Sequence, residues 1–278
     1  MFNNISSISS VNNSQSTTNM QNPTQKDEQV SVFGNEIVKS EPILTKEEKK
    51  ALQEKIKTTP DGIIQRGKQG QQAGDCWLLS QMNSMAKTDW GKEAFKNGIS
   101  SNEDGSFTVH FKGVNQDITI SAQEFKKAQK NREMSSGDAD ALLYEVAVEK
   151  YFKENDIREG SIKGNSMAGK NSLQYLLTGV EGRETSNLTT VDVILKSMAQ
   201  NPENNSNIAA TYVYLDKGID KEPTNHVVSI QKVHLNEKGN VKTLEVVDSY
   251  YPDQVKNLRY NDFKYEMIRF GYIQEPKN

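Results

Sequence analysis

Residues Gln69 to Lys87 read QGQQAGDCWLLSQMNSMAK. The stretch opens with the glycine and glutamine of a loop, and then Leu78, Met82 and Met85 recur at helical spacing with Leu79 beside them. This spacing predicts a buried helix with Cys76 in its first turn. Free backbone N–H groups and the positive end of the helix dipole favour a thiolate at such a start. A lone cysteine is more often a small core residue. Here the helix-start position and the glycine-rich approach make Cys76 a candidate nucleophile. It is the chain's one cysteine, so no internal disulfide can form, and with three histidines it cannot make a cysteine-rich zinc site.

Upstream, the loop reaches back to Gly62. Before it, Thr45 and Glu48 have capping-box spacing ahead of Ala51, Leu52 and Ile56, which predicts a short charged helix opening the ordered domain. Residues 1–44 are dominated by Ser, Asn, Gln and Thr without a periodic apolar face, and read as a disordered tail. Their start, MFNNISSISSVNNSQS, lacks the basic and apolar regions of a secretory signal. A cytoplasmic location is the default expectation, with signal-independent secretion as the alternative.

Downstream, Phe107, Val109 and Phe111 alternate with polar residues and are followed by Ile118 and Ile120, a β-hairpin pattern. Ser121 and Glu124 repeat the capping-box spacing. Residues 139–154, ADALLYEVAVEKYFKE, are apolar around most of a helical circumference. Further helices are expected at Asn171 to Leu177 and at about Thr190 to Gln200. Beyond the polar break PENNSN the pattern turns to strands: IAATYVYL, HVVSIQKVH, KTLEVVDSY and EMIRFGYIQ. The expected class is α+β, with one domain over residues 45–278, helical to about 205 and β-rich from 206.

The strands supply partners for the thiol. If HVVSIQKVHL and VKTLEVVDSY pair around NEKGN with Leu235 opposite Val241, His226 falls opposite Tyr250. Asp248 then projects on the same face as a diagonal neighbour, roughly 7–8 Å away at the backbone and within reach of an imidazole. His226 is thus the candidate base and Asp248 its orienting acid. His234 sits beside the turn, more than about 20 Å along the strand at about 3.3 Å per residue, and reads as a solvated turn residue. His110 occupies the polar phase of its strand and reads as exposed.

Composition narrows the function. The 278 residues carry a net charge of -3 with cations and anions evenly mixed, which leaves no basic stripe for phosphates and argues against nucleic acid. No apolar run approaches the roughly 20 residues of a membrane helix.

At these residues the chain resembles the calpain family of papain-like cysteine proteases, whose catalytic cysteine lies in a Gln-Gly…Gly-Asp-Cys-Trp-Leu-Leu segment. Gly74 to Leu79 match that segment at six consecutive positions. DGSFTVHFKGVNQDITI is similar to the family's strand pair, ADALLYEVAVEKYF to its Leu-Leu-Glu-Lys-Ala helix, and SLQYLLTGVEG to its segment ending in Leu-Thr-Gly-Gly. NHVVSIQKV resembles the segment carrying the catalytic histidine. The likeness spans roughly residues 62 to 273 and is strongest around Cys76.

The resemblance implies a papain-like two-lobed fold, with a helical lobe carrying Cys76 and a β lobe carrying His226 and Asp248. Where calpains have Asn-Pro-Trp this chain has Asp248-Ser249-Tyr250, so a carboxylate replaces the orienting amide. The family's oxyanion-hole glutamine lies six residues before the cysteine, where Gly70 stands; a one-residue insertion aligns Gln69, and Gln71 is the alternative. Classical calpains present an acidic calcium ligand where this chain has Arg66, and it has no EF-hand loop. No cofactor is therefore expected, and calcium control is not implied.

The implied activity is endopeptidase cleavage of proteins or peptides through an acyl-enzyme. A transglutaminase-like or deamidase transfer on glutamine side chains, which uses a Cys-His-Asp triad, is one alternative. A catalytically silent papain-like binding module is another.

Overall fold

The computed structural model describes residues 31–33, 36–38, 45–65, 67–70, 73–165, 168–200, 207–216 and 224–276. The chain divides into two units, Met1–Glu47 and Glu48–Asn278. In the first, β1 (Ser31–Phe33) and β2 (Glu36–Val38) pair antiparallel. The rest of the segment read as a disordered tail, up to residue 44, lies outside the described residues, as do Arg66 and Gln71.

The second unit is α+β. The helix α1 (Lys46–Thr58) is followed by the loop that leads to α2 (Cys76–Met85), in which every residue after Cys76 is buried. No glycine, proline or β-branched residue interrupts α2. Gly74 turns the chain into it with a φ of 66°, in the left-handed region that favours glycine. Trp77 donates to the carbonyl of Ile162 at 2.7 Å and stacks on Phe152 at 6.4 Å between centroids.

Around α2 gather α3 (Asp89–Asn97), α4 (Ala122–Ala128), α5 (Ala139–Glu154) and α6 (Leu173–Thr178), with an antiparallel sheet of β3 (Ile99–Ser101), β4 (Phe107–Phe111) and β5 (Gln116–Ile120). The hairpin expected from alternation is there, with Phe107 opposite Ile120. The capping box at Ser121 and Glu124 is fully formed. Asp138 caps α5 by accepting from the N–H groups of Asp140 and Ala141.

The remaining strands form a six-stranded antiparallel sheet ordered β10-β9-β8-β7-β11-β6. Their ranges are β6 (Arg183–Thr185), β7 (Ile208–Asp216), β8 (Thr224–Leu235), β9 (Val241–Val247), β10 (Val255–Arg259) and β11 (Met267–Gln274). Alternation divides this sheet between two cores. Ala209, Val213, Val227 and Ile273 join α2 and the helices of the first core. Ala210, Tyr212, Val228 and Ile230 face a second core with α7 (Leu188–Ala199) and Phe263 of α8 (Tyr260–Glu266).

The division expected near residue 205 is therefore displaced. α7 buries Val191, Ile194, Leu195 and Met198 in the second core, and β6 pairs with β11, so both belong with the strands that follow them. The N-terminal part, in turn, holds a sheet of its own.

Candidate active site

α2 brings Cys76 to its exposed end, where the thiol is half-buried at the free N–H groups of the first turn. The sheet brings the other partners. β8 pairs with β9 with Ser229 opposite Val247 and Leu235 opposite Val241, and beyond the paired region the chain carries Asp248 alongside His226. The Nε2 of His226 lies 2.9 Å from Oδ1 of Asp248, with both side chains buried. Cys76 stands near enough to the same ring for its sulfur to favour the charged imidazole. With Nε2 engaged by the carboxylate, Nδ1 is the nitrogen left for the thiol. Cys76, His226 and Asp248, distant in sequence, thus meet in one site.

Three aromatic and polar neighbours fix the imidazole. Tyr250 stacks on it at 5.2 Å between centroids with 15° between planes, and Tyr214 meets it edge-on at 5.6 Å. The N–H of Tyr250 donates to Oδ1 of Asp248 at 2.9 Å. Burial works against the charged ring, but the hydrogen bonds and charges of Asp248 and Cys76 outweigh it and push His226 up to about 9. Burial would likewise raise the Asp248 carboxyl, yet His226, the Tyr250 N–H and Lys256 hold it below the usual carboxylate range.

Gln69 is buried against the strand end that carries the acid. Its backbone N–H donates to the carbonyl of Ser249 at 2.8 Å, and Ser249 Oγ donates to its Oε1 at 2.8 Å. Its Nε2 lies 3.4 Å from the hydroxyl of Tyr250, a long contact that leaves the amide able to donate elsewhere. The next residue, Gly70, passes close to the backbone of Glu133, where a Cβ would stand 2.1 Å from the carbonyl oxygen. Of the two oxyanion candidates, Gln69 is described at the site and Gln71 lies outside the described residues.

The other histidines stand apart. His110 is exposed and paired with Asp117 across the β4–β5 hairpin. His234, expected as a solvated turn residue, is half-buried with Nε2 2.6 Å from Glu245. Reading the sequence missed Tyr214 and the Ser249 hydroxyl; the register that placed Tyr250 opposite His226 also puts Tyr214 beside it once β7 is paired to β8. Among the described residues no group of three or more His, Cys, Asp or Glu is placed to hold a metal ion, and no helix is long and apolar enough to cross a membrane.

Comparison of the chain with known protein families and with curated proteins finds no match.

Proposed function

We propose that this chain is a papain-like cysteine endopeptidase in which Cys76 is the nucleophile, His226 the base and acid, and Asp248 the group that orients it. The observation that carries the reading is the buried His226–Asp248 bond of 2.9 Å, with the thiol of Cys76 on the ring at the start of a helix. Two cores, a helix-rich one that holds α2 and a second on the opposite face of the six-stranded sheet, support the two-lobed arrangement.

The chemistry follows from the placement. Charge can separate between sulfur and imidazole because the ring is held as a cation by its carboxylate. The thiolate attacks the scissile carbonyl, and the oxyanion is met by the N–H of Cys76 and the Nε2 of Gln69. His226 gives its proton to the leaving amine; water, losing a proton to His226, then releases the acid and restores the thiolate. The substrate is a protein or peptide.

The acid of this site favours one other reading. A carboxylate on the imidazole is also the arrangement of transglutaminase-like and deamidase triads, which act on glutamine side chains. Products separate the two: new peptide termini are expected from the peptidase, whereas a glutamine-to-glutamate mass shift or crosslinks would replace that assignment. Cys76→Ser and His226→Ala should each abolish both turnover and stoichiometric labelling of Cys76 by a thiol-directed, active-site electrophile. Full turnover by Cys76→Ser would sink the proposal.

A further inference from the structure

Directly before the nucleophile stands Asp75, fully buried, and against it stands Glu145 of α5, equally buried. Among the described residues, neither oxygen of Asp75 has a hydrogen-bond donor. What its carboxyl meets is the carboxyl of Glu145. Glu145 already accepts the N–H of Ser135 at 2.6 Å on Oε2. Two carboxylates facing each other out of water repel strongly, and neither can leave, because each sits inside the packed first core. One proton between them removes the repulsion and turns the contact into a short, charge-assisted hydrogen bond.

We propose that Glu145 is a positioning residue for Cys76, sharing one proton with Asp75 in a buried clasp that ties the first turn of α2 to α5. The clasp rests on the peptidase reading only for its catalytic consequence; the proton itself does not. Lys163, exposed on the loop after the 3-10 turn Ile157–Gly160, acts on Asp75 only through its charge, and Tyr250 faces Asp75 from the strand end. From the segment before α5, Ser135 contributes its N–H to Glu145. Burial first, and then the facing charge of Asp75, raises the Glu145 carboxyl well above its usual range, while burial pushes Asp75 up to about 6. The pair therefore keeps one proton at neutral pH. Cys76 follows Asp75 in the chain, so the geometry of the clasp sets where the thiol stands relative to His226.

Glutamine is the isostere of a protonated glutamic acid: its carbonyl can accept from Ser135 and its amide can donate to Asp75. Glu145→Gln should therefore alkylate at Cys76 with iodoacetamide at a rate within about twofold of the parent protein, whereas Glu145→Ala, which strands a buried carboxylate, should be slower by about tenfold or more. Infrared difference spectra at neutral pH should show a protonated carboxyl C=O stretch in the parent protein that is missing in Glu145→Gln. Slow labelling of Glu145→Gln, unimpaired labelling of Glu145→Ala, or an unchanged infrared band would each overturn the clasp. Should Glu145→Ala not fold, Glu145→Gln and the band still decide. If Cys76 of the parent protein itself resists the reagent, the peptidase reading fails, and the band alone reports on the proton.

Discussion

At His226 two opposing effects meet: burial disfavours the imidazolium, and the carboxylate of Asp248 with the sulfur of Cys76 restores it, leaving the ring charged up to about 9. The sign of the pH dependence follows. A histidine raised above its ordinary 6.5 contributes stability that is complete below that value and is lost as pH rises through about 9. Turnover needs the same proton for the leaving amine, so kcat/KM should fall on the alkaline side near 9, while alkylation of Cys76 does not. Asp248→Asn removes the charge that lifts the ring; it should move the alkaline limb to lower pH and cut kcat/KM by about 10- to 150-fold, the equivalent of a hydrogen bond to a charged group. An unmoved limb would detach Asp248 from the role given to it. Gly70 makes a second case at this scale. Alanine there would drive a methyl into the Glu133 carbonyl, so Gly70→Ala should lower stability by about 1–3 kcal/mol, read as a lower melting temperature, and slow acylation by displacing the neighbouring Gln69.

Among the elements, the β8–β9 pair shows how a sequence argument can reach the right residues by a simplified path. Regular pairing around the turn sets His226 beside Asp248, and the real ladder is not regular. Gln231 is an extra residue on β8 and Lys242 an extra residue on β9, so the register slips by one and then slips back. The two irregularities also let Ile230 and Val233, of opposite parity, face the same second core, as do Val241 and Leu244. Parity counted across the whole hairpin survives because the interruptions cancel. Deleting Gln231 should therefore leave His226 on Asp248 and preserve labelling of Cys76. An alanine inserted between Val227 and Val228 should turn His226 to the other face and abolish it. Equal labelling of the two variants would contradict this account of the register. Other elements were legible for local reasons: the residues 139–154 read as helix are those of α5, and the capping box at Ser121 is formed as spaced. α3, α8 and the short strands β3, β6 and β10 were not, because brief segments gain their structure from neighbours rather than from their own periodicity.

For the molecule as a whole, the membership of α7 and β6 was the least readable feature, since helical periodicity tells which face is buried and not against which sheet. That Cys76, His226 and Asp248 would come together was readable because one cysteine and three histidines left few combinations; the Asp75–Glu145 contact was not, as nothing in either local pattern pairs α2 with α5. Buried acids also set the protein's response to pH. Burial, reinforced by the charges of Asp138 and Asp61, pushes Asp140 up to about 7 although the N–H groups of Asp61 and Gly62 donate to it, and burial pushes Asp75 up to about 6. The folded state thus holds more protons than the unfolded one above the ordinary carboxylate range, so the stability these groups supply at low pH is lost as pH rises through about 6 to 7. The melting temperature should decline across that window, and Asp140→Asn should flatten the decline; a rise through the same window would refute the assignment. Trp77, next to Cys76 and stacked on Phe152, is one of only two tryptophans in the chain. The molecule therefore carries a fluorophore one residue from its sulfur, so events at that sulfur can be followed by light emission from the unmodified protein, without a reporter substrate.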